Sequence, residues 1–162
     1  MFSLSDATKM FALLDGLPDE KQPSLDKALR NYSVRFYLPH DDQRGRVFLY
    51  DEASICALRM IYLANECGVD RWLCEAYARW LQKNSHEAIR RVEAGEDFSF
   101  HVALVREYGE LSPRIFADWE RDTHARVEVA AAGYLASVEM GRFTAPAARE
   151  IRGLLACTRS GE

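Results

Sequence analysis

The chain has 162 residues, 48% of them hydrophobic and 28% charged, with a formal charge of -4. That length suits one ordinary domain or two small ones sharing a core, and the composition excludes a disordered chain. Apolar runs are short and interrupted, as Glu128 interrupts Val127 to Val138, so none approaches the roughly 20 residues that span a bilayer.

The start, MFSLSDATKMFALLDG, carries Asp6 and Lys9 early and lacks a basic segment followed by a long apolar one. It does not read as a secretion signal, and a cytoplasmic location is the expectation. Ser3 or Ser5 can cap a first helix, with Asp6 in its first turn. Leu4, Ala7, Met10, Phe11 and Leu14 form its apolar stripe. Asp15-Gly16 and Pro18 stop it, and DGLPDEKQPS is a turn. Ser24 is the expected cap of a second helix, LDKALRNYSVRFY, which Pro39 ends. Leu25, Ala28, Leu29 and Tyr32 then face inward. Lys27, Arg30, Asn31 and Arg35 face out, which is how a helix that reads DNA distributes its donors.

HDDQRGR follows, with Gly45 suited to a left-handed turn, and Val47 to Tyr50 read as a short strand. Asp51 caps a third helix with a stripe at Ile55, Leu58, Ile61 and Tyr62, and Gly68 stops it. A fourth helix runs from about Asp70 to Ala94, carrying Trp72, Leu73, Ala76, Trp80, Leu81 and Ile89, with Arg90 and Arg91 at its dipole-favoured end. Trp72 and Trp80 are expected in a core or a dimer interface.

After Gly95 the period changes to two. Phe98, Phe100, Val102 and Leu104 alternate with Ser99, His101, Ala103 and Val105, which predicts a strand. YGELSP is then a turn, RIFADW a returning strand and AGYLASVEM a third, so that residues 96–162 form a β-meander closed by a helix from Pro146. The alternative is one long helix from Asp118 to Met140, a stretch rich in alanine.

Four cysteines, Cys56, Cys67, Cys74 and Cys157, form no CxxC pair, and four scattered histidines have no metal-ligand spacing beside them. They read as buried small hydrophobes in a reducing compartment, with no metal and no cofactor. His101 and Glu107 are not a catalytic pair by sequence. No phosphate loop, nucleophile elbow, zinc-protease or dinucleotide signature occurs, so no catalytic residue is assigned and no enzyme is expected.

The acidic average hides a local patch. From Asp26 to Arg46, Lys27, Arg30, Arg35, Arg44 and Arg46 stand against Asp26, Asp41 and Asp42, a net of +2. Leu29, Arg30 and Tyr32 on a helix, Leu38-Pro39 after it, then Arg46, Tyr50, Asp51 and Ile55 across a hairpin and helix cap, form an ordered set. Over about residues 3 to 70 it resembles the winged-helix domain of the MerR family. The first turn is longer here, Asp41-Asp42 sit at the base of the wing, and the family's metal-binding cysteines have no counterpart.

The expected fold is α+β. A helical, winged helix-turn-helix domain occupies residues 1–69. A linking and dimerisation helix occupies 70–95, and a small antiparallel β module with a closing helix occupies 96–162. The resemblance implies a sequence-specific transcriptional regulator, of phage or mobile-element type, that binds double-stranded DNA as a homodimer and contacts no membrane. The expected DNA-binding residues are Lys27, Arg30, Asn31, Tyr32, Arg35, Arg44 and Arg46, with Arg30 alternatively paired to Asp26 and Tyr32 alternatively packed in the core. The competing expectation is an assembly or protein-interaction factor built on a helix-turn-helix, with a protein partner on the C-terminal module.

Overall fold

A computed structural model describes residues 1–38, 40, 42–96, 98–107, 110–120, 131–138 and 148–156. The fold is α+β, with a helical N-terminal part, a two-stranded hairpin and a three-stranded antiparallel sheet.

Helix α1 spans Leu4–Leu14. Ser3 caps it reciprocally: the Asp6 amide donates to Ser3 Oγ at 3.2 Å, and the Ser3 amide donates to Asp6 Oδ2 at 2.9 Å. Two orphan amides are thereby satisfied. Leu4, Ala7 and Phe11 go into the core as the stripe requires, whereas Met10 and Leu14 are half-buried at its edge.

Helix α2 spans Gln22–Arg35, preceded by a single 3-10 turn at Asp19–Lys21. It therefore starts earlier than a Ser24 cap would allow. Pro23 is the reason: in a first helical turn its fixed φ is already correct and its missing amide has no partner to lose. Leu25 and Leu29 are buried, Ala28 and Tyr32 half-buried, and Lys27, Arg30, Asn31 and Arg35 exposed, as the spacing predicts. The helix ends at Arg35, before Pro39, which lies outside the described residues. Tyr37 closes it in a left-handed conformation (φ 49°). The Leu38 amide donates back to Ser33 O at 3.0 Å, the pattern usually built on glycine.

Strands β1 (Asp42–Arg44) and β2 (Val47–Leu49) pair antiparallel, with Asp42 opposite Leu49 and Arg44 opposite Val47. Gly45, at φ 61°, makes the two-residue turn that the sequence marks. Asp41 lies outside the described residues. Tyr50 bridges back to Phe2, each amide donating to the other's carbonyl at 2.9 Å, which ties the hairpin to the start of α1.

Helix α3 (Glu52–Glu66) is capped by Asp51, whose Oδ1 accepts the Ser54 amide at 2.6 Å. It is buried on nearly every side from Ala53 to Ile61, a central position that a one-sided stripe does not predict. Helix α4 (Arg71–Glu93), capped by Asp70, lies along it. Trp80 enters the core. Trp72 does not: it is 44% exposed. One core cluster takes side chains from α1 to α4, from Phe98 and Ala117, and from Ala148, Ile151 and Leu155 of the closing helix α5 (residues 148–156). It is continuous across residues 69–70 and 95–96. Arg152 of α5 holds Glu52 and Glu93 at 2.6 Å each, joining the start of α3 to the end of α4.

Strands β3 (Phe100–Glu107), β4 (Glu110–Ala117) and β5 (Ala131–Val138) are all antiparallel, in the order β4-β3-β5. A meander would put β4 in the middle, so this expectation is corrected: β3 is central and β5 crosses to its far side. YGELSP is likewise not all turn, because Glu110 to Pro113 already pair with β3. Pro113 is tolerated there because β4 is an edge strand and need not donate outward. The single-helix alternative for Asp118 to Met140 fails at residues 131–138; residues 121–130, 139, 140 and 146 lie outside the described ones. The sheet joins α4 through an aromatic knot. Trp119 meets Trp80 and Phe98 at 5.4 and 4.7 Å between centroids, and Trp80 Nε1 donates to Glu120 Oε2 at 2.8 Å.

Candidate nucleic-acid interface

Helix α2 has two faces. Leu25 and Leu29 seat it, while Lys27, Asn31 and Val34 share the solvent face at helical spacing. Lys27 and Asn31 make no hydrogen bond or ion pair with any described residue. Arg30 is paired, one turn back, with Asp26: Nε to Oδ2 at 2.6 Å and Nη2 to Oδ1 at 3.1 Å. That hydrogen bond holds the Asp26 carboxyl below the usual carboxylate range and raises Arg30 in return. Both readings of Arg30 therefore meet in one residue. It is ion-paired, yet its side chain is 57% exposed. It lines a hollow of about 200 Å³ with Ser3, Leu4, Ser5, Arg46, Val47 and Phe48.

Tyr32 belongs to the seam between α2 and α3. Its ring stacks on Phe36 at 5.7 Å, and its hydroxyl accepts from Asn65 Nδ2 at 2.6 Å. Burial pushes its hydroxyl pKa up. Its described role is packing that fixes the helix, the second of the two that its sequence position allows.

Arg35 lies on the other side of α2. Its Nε is 3.5 Å from Glu75 Oε1, and it helps line a second hollow of about 200 Å³ with Phe36, Tyr37, Arg71, Glu75 and Arg79. Two of these cations, Arg35 and Arg71, share the Glu75 carboxylate, and Arg79 lines the same hollow. Arg71 and Arg79 were not legible as site residues. They are two turns apart on α4, and only the packing of α4 beside the end of α2 brings them to Arg35. Arg44 and Arg46 are exposed on the hairpin and pair with no described residue.

A groove of about 380 Å³ adjoins both hollows. It is lined by Ser33, Val34, Tyr37, Leu38, His40 and Phe48, sharing Phe48 with the Arg30–Arg46 hollow and Tyr37 with the Arg35–Arg71–Arg79 hollow. Gln82 of α4 steadies this corner by donating to the carbonyls of Phe36 and Tyr37, the latter at 2.9 Å. Helix α2 thus has a cationic hollow on its hairpin side and a cationic hollow on its α4 side.

Among the described residues no three His, Cys, Asp or Glu side chains stand together as a metal site, and no helix is long and apolar enough to cross a membrane. Burial pushes the thiol of Cys56 up to about 12 and that of Cys74 to about 11, so both stay protonated at neutral pH. Cys67 is exposed and Cys157 lies outside the described residues. Compared with known proteins, the chain matches no family model and no curated protein.

Proposed function

We propose that this chain is a sequence-specific, double-stranded-DNA-binding transcriptional regulator whose N-terminal part works as a winged helix-turn-helix. Helix α2 enters the major groove, and the β1–β2 hairpin serves as the wing on the flanking backbone. Lys27 and Asn31 meet base edges, and Arg30, Arg35, Arg44 and Arg46 meet phosphates. Tyr32 acts by holding α2 against α3. The observation that carries this reading is the pair of cationic hollows on opposite sides of α2, since the phosphates of a duplex flank the groove on both sides. Arg71 and Arg79 join the phosphate contacts on this account. One module of this size buries too little surface for tight specific binding, so two copies on a dyad-symmetric site are the expected state.

The test is selection from a random duplex pool at two salt concentrations, comparing the natural chain with Arg44→Ala/Arg46→Ala. A regulator enriches a dyad-symmetric site, and the double variant binds it more weakly with a shallower salt slope. Equal and unselective binding by both proteins would refute the reading and turn attention to the assembly-factor alternative.

A further inference from the structure

Resting on the DNA-binding reading, we propose that the groove between α2 and the hairpin reads the 5-methyl groups of thymines, with Val34 and Phe48 as the contacting side chains. The first observation is exposure that no packing role explains. Val34 is 76% exposed, Tyr37 81% and Phe48 44%, and all three line this one groove. A folded chain rarely gathers exposed apolar side chains into one hollow unless something covers them.

The second observation is what surrounds the hollow. Among the described residues its lining contains no Lys, Arg, Asp or Glu, yet the hollows that adjoin it carry Arg30 and Arg46 on one side and Arg35, Arg71 and Arg79 on the other. An apolar floor between two cationic rims matches a major groove, where phosphates bound both edges and the thymine methyl is the apolar feature of the base edges. An apolar peptide has no use for cations on both sides.

The third is placement. Val34 shares a helix face with Lys27 and Asn31, so it meets the next base step along the same track. Phe48 is held from behind by the His40 ring, whose centroid lies 4.4 Å away. Tyr37 occupies a backbone position that favours glycine, and there its ring closes the far end of the groove.

The selected duplex is remade with each thymine in turn replaced by deoxyuridine, which removes only the methyl group. Binding of the full natural chain, Val34→Ala and Phe48→Ala is then measured. At one or two positions per half-site, deoxyuridine should weaken binding of the natural chain roughly fourfold, the effect of one buried methyl. Val34→Ala or Phe48→Ala should bind the thymine and deoxyuridine duplexes equally at the position each one reads. Both side chains are exposed, and unchanged circular dichroism and melting will verify that the variants fold. A selected site at which deoxyuridine changes nothing overturns the methyl reading and leaves the regulator standing. Failure to select any duplex overturns both, and an acidic-apolar peptide then becomes the occupant to seek.

Discussion

The buried pair of Arg59 and Asp15 offers a quantitative test of what holds α1 and α2 in place. Arg59 is on α3 with its side chain 3% exposed. Two of its nitrogens donate to the two oxygens of Asp15 at the end of α1, Nη1 to Oδ2 at 2.7 Å. Its guanidinium carbon lies 5.0 Å from the Phe11 ring centroid and 5.6 Å from that of Tyr62, and Nε has no hydrogen-bond partner among the described residues. Asp15→Ala leaves this charge facing rings and a vacancy. Breaking a fully buried pair costs about 3–5 kcal/mol, but Asp15 is 22% exposed and water can reach the vacated side, so roughly 2–3 kcal/mol is expected. For a chain of this size that lowers Tm by roughly 5–10 °C. Arg59→Met removes the charge and keeps an unbranched side chain between the rings, so its cost is smaller, about 1–2 kcal/mol. Adding Asp15→Ala to it should cost little more, because no buried charge is left to strand. Urea unfolding of the two single variants and the double, followed by circular dichroism at constant m-value, measures the coupling. Double-variant losses equal to the sum of the singles would refute the argument, since independent sites add within about 0.5 kcal/mol.

Tyr37→Gly should raise stability by about 1 kcal/mol, because glycine accepts the left-handed conformation without strain; it should at the same time weaken binding to the selected duplex. A variant both less stable and unchanged in binding would contradict the assignment. Arg71→Ala/Arg79→Ala should lower duplex affinity uniformly across sequences and reduce the slope of log K against log salt by about 1 to 2, roughly one for each phosphate left without its arginine, as titration across a salt series will reveal. Cys56 predicts alkaline sensitivity. Its thiol titrates near 9 when unfolded and near 12 when folded. The unfolded chain therefore binds fewer protons between those values. Stability is full below pH 9 and falls by about 1.4 kcal/mol per pH unit above it. Cys56→Ala should lose less stability than the natural chain between pH 8 and pH 10.5; parallel urea midpoints for the two would exclude the mechanism. Among the described cysteines, Cys67 alone should react with a thiol reagent within minutes under native conditions, which mass spectrometry of the labelled peptides will check.

Local signals determined much of this protein. A serine cap at the start of α1, the Asp51 cap, the Gly45 turn and the change of period after Gly95 are each written within a few residues, and each appears where the chain predicts it. So does the outward face of α2, because a helix carries its donors and its seat at fixed offsets. Tertiary structure alone decided three things. The strand order β4-β3-β5 depends on which edges remain open once the chain has folded back, and period-two alternation is blind to that. Arg59 sits among apolar neighbours because helices close around α3 from several sides, whereas a charged residue in sequence reads as solvated. The second cationic hollow and the apolar groove also come from packing. Arg35 and Tyr37 meet Arg71 and Arg79 only because Gln82 and the core draw α4 against the end of α2, joining residues more than thirty positions apart that no local pattern can connect.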